Sequence, residues 1–233
     1  MKIKGIQKTT LIDYPGKVAC TIFLQSCNFR CRFCHNPELV LYEEEGEMSE
    51  KEFFDFLEKR KGELDGVCIT GGEPLVSLDK DFVKKIKELG YFVKLDTNGS
   101  FPEKLKEFVD AGLVDFVAMD LKTCKEDYEE IVGVGVNIKN LEKSIRIISS
   151  LENYEFRTTV LKKFHDEEKI KKMLEWVSGI VDGKIKRFCL QGFKNKGKLI
   201  DEGLRGEADA GVGWVESLAK VSNKFCNQVI VRV

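Results

Sequence analysis

The sequence lacks several features that would place it in common classes of protein. Lys and Arg number 38 against 39 Asp and Glu, a formal net charge of -1, so no broad positive field is present to bind nucleic acid or an anionic membrane. No apolar run approaches the roughly 20 residues that span a bilayer, and the first ten residues, MKIKGIQKTT, lack the apolar stretch of a signal peptide. We therefore expect a cytoplasmic protein with no nucleic-acid or membrane partner.

Length and cysteine content narrow the class further. A chain of 233 residues predicts one domain over residues 1–233, with a core at about 17–195 and a C-terminal extension at about 196–233. Eight cysteines in a charged chain without an export signal belong in a reducing compartment, where disulfides are rare. Clustered cysteines here indicate metal or redox chemistry.

Short β-branched runs alternate with charged segments of helical period, and this alternation predicts an α/β fold. The six runs are VACTIFL, GVCIT, YFVKLD, VDFVAMD, YEFRTTVL and KRFCLQ. Right-handed crossovers leave two architectures open, a doubly wound sheet and an incomplete barrel. In both, the strand C-terminal ends share one face, and the motifs TGGEP, DTNG and DLK fall on that face. The tail from Glu207 to Val233 predicts one more helix and strand.

Three cysteines follow the first of these runs in the segment CNFRCRFCHN, as Cys27, Cys31 and Cys34. A structural zinc site normally takes four ligands in two close pairs, but no second close pair exists and His35 directly follows Cys34, a poor spacing for a chelating partner. A 4Fe-4S cluster held by three thiolates keeps one iron open for a small molecule. The spacing therefore favours an iron-sulfur cluster.

The other five cysteines are scattered singly. Cys20, Cys68 and Cys189 lie inside apolar runs, where a buried thiol behaves as a small hydrophobic group. Cys124 and Cys226 are not assigned a role by the pattern. We therefore predict one cluster only.

These motifs resemble the radical S-adenosylmethionine (radical SAM) superfamily, whose shared motif C-x3-C-x2-C matches Cys27, Cys31 and Cys34. CHN, TGGEP, LDTNG and DLK follow in the order seen in glycyl-radical-enzyme activating enzymes. The segment DYPGK at residues 13–17 is similar to one in the activating proteins of anaerobic ribonucleoside-triphosphate reductase. The resemblance covers about residues 10–195 and implies a partial (β/α)6 TIM-like barrel with an appended helix and strand.

The resemblance also implies an activity and a set of cofactor-binding residues. Reductive cleavage of S-adenosylmethionine would yield a 5'-deoxyadenosyl radical, and this radical would take an α-hydrogen from a glycine of a partner enzyme. The implied cofactor-binding residues are Phe33, Cys34, His35, Gly71, Gly72, Glu73, Asp96, Thr97, Asp120, Leu121, Lys122, Arg157 and Gln191. A monovalent cation near Asp96 and Asp120 is a further expectation from relatives.

Each of these assignments has a plainer alternative. Gly71 and Gly72 also suit a tight turn between a strand and a helix, and the charged residues of DTNG and DLK also suit surface ion pairs. Arg157 is equally consistent with an ordinary ion pair. These alternatives stay open at the level of sequence.

The chain departs from related enzymes in two respects. Some relatives place a histidine after the sixth strand, where this chain reads LQGFKN, so Gln191 or Phe193 is expected to replace it. Several activating enzymes carry a ferredoxin-like insert with extra cysteines, but PELVLYEEEGEMSE has none, which predicts an external flavodoxin or ferredoxin as electron donor. The acidic run at residues 43–45 and the segment KKFHDEEKIKK are both expected to be solvent-exposed.

Two other functions remain as alternatives. A radical SAM enzyme acting on a small molecule, such as a deazapurine-forming synthase, can share this compact core. A cluster-binding electron carrier or a structural zinc protein belongs to a different class, and neither would release 5'-deoxyadenosine from S-adenosylmethionine.

Overall fold

The computed structural model describes residues 1–42 and 45–233, so residues 43 and 44 of the acidic run lie outside the described residues. The strands are β1 (Ile3–Thr10), β2 (Ala19–Leu24), β3 (Gly66–Gly71), β4 (Phe92–Thr97), β5 (Phe116–Asp120), β6 (Tyr154–Val160), β7 (Ile185–Gly192) and β8 (Cys226–Arg232). The helices are α1 (Pro37–Leu41), α2 (Glu50–Lys59), α3 (Lys80–Glu88), α4 (Pro102–Asp110), α5 (Tyr128–Val132), α6 (Ile138–Ser149), α7 (Glu167–Val181) and α8 (Val212–Ser222).

Strand order in the sheet is the chain order, from β1 to β8. The pairs β2/β3, β3/β4, β6/β7 and β7/β8 are parallel, and β1 pairs antiparallel with β2. The six predicted strands are β2 to β7, each followed by at least one helix, and α8 and β8 form the predicted extension. The α/β fold class is therefore confirmed. The sequence analysis missed β1, whose run IKGIQKTT carries a glycine and several polar residues.

The chain divides into two compact units. The first contains residues 1–28, 36–97 and 103–117, and the second contains residues 29–35, 98–102 and 118–233. In the first unit, α2 begins with a capping box between Ser49 and Glu52, and its buried Phe53 stacks on Phe82 of α3 with ring centroids 5.4 Å apart. Most residues of β2 and β3 are buried, as expected of strands covered on both faces.

The second unit has its own apolar interior. Tyr128 of α5 is fully buried and packs edge-on against Trp176 of α7, and α7 buries Ile170, Met173 and Leu174. No described helix is long and apolar enough to cross a membrane. The single-domain organisation stays a prediction.

Candidate functional site

The first cysteine, Cys27, belongs to the first unit and follows a strained residue. Ser26 has a φ of 81°, a conformation that a residue with a side chain rarely adopts. Its carbonyl accepts a hydrogen bond from the Glu73 amide at 2.8 Å, and the Gly72 amide donates to the Leu24 carbonyl at 3.0 Å. The start of the cysteine loop is thereby fixed against the turn that follows β3.

The two glycines of TGGEP have a packing role in this contact. A Cβ at Gly72 would lie 2.1 Å from the Ser26 carbonyl oxygen, and a Cβ at Gly71 would lie 2.2 Å from the Leu24 nitrogen. The absent side chains thus make room for the chain itself, which supports the tight-turn alternative. Binding of the cofactor by these residues stays a prediction.

Glu73 and Thr97 lie together in the first unit. The Glu73 carboxylate is fully buried and accepts hydrogen bonds from the Thr97 hydroxyl at 2.8 Å and from the Leu75 amide at 3.1 Å. Glu73 also caps the short 3-10 turn that begins at Pro74. The structure therefore joins one residue of TGGEP to one residue of LDTNG.

Asp96 has an ion-pair partner that the sequence analysis missed. Lys94, two residues earlier in β4 and so on the same face of the strand, is fully buried and pairs with the Asp96 carboxylate. Its ammonium also lies 3.8 Å from the Cys68 sulfur and 5.8 Å from the centroid of the Phe116 ring. A buried lysine is rare unless it is paired, and this rarity is the only signal that the run YFVKLD offered.

Cys31 and Cys34 belong to the second unit, where the backbone of their loop is held by α5. The Arg30 amide donates to the Val132 carbonyl at 2.8 Å, and the Cys34 amide donates to the Cys31 carbonyl at 2.9 Å. Burial raises the pKa of the Cys31 thiol, an effect that nearby Lys122 partly offsets. Cluster binding at Cys31 would therefore displace a proton.

Asp120, Lys122 and Arg157 form one charged group in the second unit. The Arg157 Nε lies 2.8 Å from the Asp120 carboxylate, and the Lys122 Nζ lies 3.1 Å from it. The Asp120 side chain is 32% exposed. Burial raises the pKa of Asp120, but the charges of Arg157 and Lys122 outweigh it and hold that pKa well below its usual value. Burial lowers the pKa of Lys122, but Asp120 outweighs it and raises that pKa.

The carboxylates Asp96 and Asp120 each contact a cation of their own unit, Lys94 in the first and Arg157 with Lys122 in the second. These contacts already supply positive charge to both carboxylates. The monovalent cation stays a prediction without support from this geometry.

Phe33 and His165 meet in the second unit, and His165 is a further residue that the sequence analysis missed. Phe33 is buried and packs against Phe164 and His165, with ring centroids 6.1 and 6.3 Å away. The His165 Nε2 lies 2.8 Å from the Lys122 carbonyl, and the Leu161 amide donates to Nδ1 at 3.1 Å. His165 is 2% exposed, and Phe164 and Ile170 are buried as well, so the expectation that KKFHDEEKIKK is solvent-exposed was wrong at these three residues.

His35, Leu121 and Gln191 complete the predicted residues of the second unit. The His35 ring lies 5.3 Å from the ring of buried Phe193, and its Nε2 lies 2.7 Å from the Lys194 carbonyl.

Leu121 is buried and its amide donates to the Arg157 carbonyl at 2.8 Å. Gln191 is half-buried near the end of β7, where its register partner is Arg232 of β8. Of the two proposed replacements for the missing histidine, Phe193 is the one that contacts His35.

The donor set fits an iron-sulfur cluster. Among the described residues, the only partly exposed cysteines are Cys27, Cys31 and Cys34, whereas the other five cysteines are buried. Burial raises the pKa of Cys189 to about 11 and that of Cys226 to about 12, which keeps these thiols protonated. No group of three or more His, Cys, Asp or Glu suited to a single metal ion occurs among the described residues. In a 4Fe-4S cluster each thiolate binds a different iron, so its three cysteines need not converge on one metal ion.

Comparisons with known proteins point to the same chemistry. Residues 21–177 match the family model described as "Radical SAM superfamily". The chain therefore belongs to the radical SAM superfamily of enzymes, and membership implies a 4Fe-4S cluster and S-adenosylmethionine as cofactors.

The chain is 34% identical over 244 residues to the "Putative glycyl-radical enzyme activating enzyme" of Methanocaldococcus jannaschii, across 99% of this chain and 95% of that protein. It is 32% identical over 145 residues to the pyruvate formate-lyase-activating enzyme of Clostridium pasteurianum, covering 58% of each. The crystal structure of Streptococcus suis SuiB bound to S-adenosylmethionine matches with a TM-score of 0.68 at 15% identity, over 91% of this chain and 52% of that one. That last likeness shows the fold alone.

Proposed function

We propose that this protein is an activating enzyme that takes an α-hydrogen from a glycine of a glycyl-radical enzyme, with anaerobic ribonucleoside-triphosphate reductase as the partner. The observation that carries the proposal is similarity along 99% of the chain to a relative named for such activation. The DYPGK segment at residues 13–17 supports the choice of reductase.

Cys27, Cys31 and Cys34 would hold the 4Fe-4S cluster because they are the partly exposed cysteines of the chain. When bound, the cluster, reduced by one electron from an external donor, and S-adenosylmethionine would supply a 5'-deoxyadenosyl radical, with methionine as the leaving group, to take a hydrogen atom from the substrate. Gly71 and Gly72 allow the tight turn that fixes the start of the cysteine loop.

The charged residues would bind the methionine end of the cofactor. In the first unit, the Glu73 carboxylate, with Thr97 bonded to it, suits an ammonium group. In the second unit, Lys122 and Arg157 suit a carboxylate, and Asp120 fixes their side chains. Asp96 would contribute indirectly, because its ion pair with Lys94 stabilises the end of β4.

The apolar and aromatic residues of the second unit would bind the adenosine. His35 is exposed and has a ring on which a purine can stack, with buried Phe193 packed against it. Buried Phe33 and Leu121 would add apolar side chains to the same part of the site. Gln191 supplies an amide at the end of β7.

A single cluster implies that electrons come from outside. The five other cysteines are buried singly, so we propose one cluster and an external flavodoxin or ferredoxin as donor. We also propose that the protein is cytoplasmic.

The experiment is electron paramagnetic resonance on the partner. Anaerobically reconstituted protein, S-adenosylmethionine and reductant are incubated with anaerobic ribonucleotide reductase and, separately, with pyruvate formate-lyase. We expect a glycyl doublet in the reductase that changes when its glycine is deuterated at the α-carbon. The Cys31→Ala variant is the matched negative control.

Each other outcome selects a different reading. A doublet only in pyruvate formate-lyase keeps the activation chemistry and overturns the partner. Consumption of a small metabolite in proportion to 5'-deoxyadenosine, with no glycyl signal, favours the small-molecule alternative. Absence of 5'-deoxyadenosine altogether favours an electron carrier or a zinc protein.

A further inference from the structure

The cysteine loop of the second unit contacts a segment of the C-terminal region that no motif singled out. We call residues 193–210, between β7 and α8, the C-terminal strap. Asp201 in this strap contacts Arg32, which lies between Cys31 and Phe33 in the loop. The Arg32 Nε and Nη2 lie 2.9 and 2.8 Å from the same Asp201 carboxylate oxygen, Oδ2.

The backbones of the two segments are joined as well. The Asp201 amide donates to the Arg32 carbonyl at 2.9 Å, so one residue of the strap binds both the side chain and the main chain of Arg32. Two residues beyond Phe33, His35 contacts the Lys194 carbonyl at the start of the strap. The stretch that carries Cys31 and Cys34 is thus held at Arg32 and at His35.

The strap is itself well ordered by its own contacts. The Asn195 side-chain amide donates to the carbonyls of Arg205 and Glu207 at 2.7 and 2.6 Å, and Leu204 is fully buried. The Asp201 Oδ1 accepts a hydrogen bond from the Gly203 amide at 2.9 Å and caps the 3-10 turn at Glu202–Leu204. The strap therefore has a fixed shape that can be imposed on the loop.

We propose that Asp201 is a positioning residue that holds Cys31 and Cys34 ready for the cluster before the cluster is bound. Ligands that are ordered in advance lose less conformational entropy on binding, so the cluster is taken up more readily and retained longer. This inference rests on the proposed cluster ligation but not on the proposed partner enzyme.

Asp201→Asn isolates the contact with Arg32. The asparagine carbonyl can still accept the Gly203 amide and cap the turn, while the negative charge opposite Arg32 is lost. The matched control is Glu202→Gln, which removes a neighbouring ion pair with Arg205, at 2.9 Å, that does not involve the cysteine loop. Asp201→Glu is the conservative variant.

The first measurement uses the cluster-free full chain, with iodoacetamide alkylation followed residue by residue by mass spectrometry. We expect Asp201→Asn to increase the alkylation rate of Cys31 and Cys34 about two- to fivefold, as suits a partly exposed ion pair. Buried Cys189 serves as the internal reference and should not change. Asp201→Glu should restore most of the wild-type rate.

The second measurement is loss of the cluster to EDTA under anaerobic conditions, followed by absorbance. Asp201→Asn should lose its cluster about two- to fivefold faster than the wild type and than Glu202→Gln. Equal rates in all three proteins would overturn the proposal, and so would equal acceleration in Asp201→Asn and Glu202→Gln. Failure to find a glycyl radical in any partner would leave both measurements unaffected.

Discussion

Two aspartates lie near the C-terminal ends of β4 and β5, strands that follow one another in the chain, and their surroundings differ. Asp96 is the second-last residue of β4 and pairs with Lys94 of the same strand, whose side chain is fully buried. Asp120 is the last residue of β5, is 32% exposed, and contacts Lys122 beyond the strand and Arg157 of β6. The same residue type near a strand end thus belongs to a largely buried ion pair in the first unit and to a partly exposed group in the second.

The difference predicts a role in stability for Asp96 and, under the proposed function, a role in cofactor binding for Asp120. Breaking a buried ion pair by removing one partner leaves a charge without water or counterion, which is strongly destabilising. A partly exposed group can be hydrated again after a substitution, so its loss costs little stability but removes contacts to a ligand. We therefore expect substitutions at the two aspartates to have separable effects.

The largest effect should come from Cys31, which lies near the charged group of Asp120, Lys122 and Arg157. Cys31→Ala should abolish the stable 4Fe-4S cluster and the activity that depends on it, because Cys27 and Cys34 are the only other partly exposed thiols among the described residues. Iron content and the cluster absorbance measure this. Cys189→Ala is the control and should keep the cluster with a loss of packing only; full iron content in Cys31→Ala would contradict the assignment.

Asp96→Asn should destabilise the folded protein by about 3–5 kcal/mol, because it leaves the fully buried Lys94 ammonium without its carboxylate. Urea unfolding of the cluster-free protein measures the change. The double variant Lys94→Met with Asp96→Asn removes both charges and should recover part of the loss. A single variant within 1 kcal/mol of the wild type would mean that the pair is not a closed structural unit.

Asp120→Asn and Lys122→Ala should instead weaken binding of S-adenosylmethionine. Loss of a charge-assisted contact costs about 1.5–3 kcal/mol, roughly ten- to a hundredfold in Kd. Calorimetry on the cluster-loaded protein measures the affinity, and iron content should stay unchanged. If both variants bind as the wild type does, these residues form an ordinary ion-pair group and the contrast with Asp96 disappears.

The smallest effect concerns His165, whose Nε2 lies within hydrogen-bond distance of the Lys122 carbonyl. Burial lowers the pKa of His165 from its ordinary value of 6.5, so below pH 6.5 the unfolded chain binds a proton that the folded chain does not. Its contribution to stability is complete above pH 6.5 and is lost as the pH falls toward the lowered value, by at most about 1.4 kcal/mol per pH unit.

Thermal unfolding between pH 5 and 8 tests this, with His165→Gln as the non-titrating control. The difference between wild type and variant should shift in favour of the variant as the pH falls below 6.5. A difference that does not depend on pH would show that His165 is not held neutral in the folded state.

The sequence was sufficient for the repeating part of the fold. Runs such as GVCIT and VDFVAMD are apolar and β-branched because both faces of a parallel strand are covered, and this pattern does not depend on distant contacts. It was insufficient for β1, because an edge strand with polar residues has no such pattern. His165 was misjudged for a related reason, since its charged neighbours in the chain gave no sign that Leu161 and Lys122 enclose its ring.

The sequence by itself determined the α/β alternation, the three-cysteine motif and the superfamily, because each depends on residues that are near one another in the chain. Only the tertiary structure decided which partner each charged residue takes. Lys94 pairs within its own strand, Arg157 reaches Asp120 from another strand, and Asp201 reaches Arg32 across most of the chain. The strength of such contacts depends on distance and burial in space, and the order of residues along the chain fixes neither.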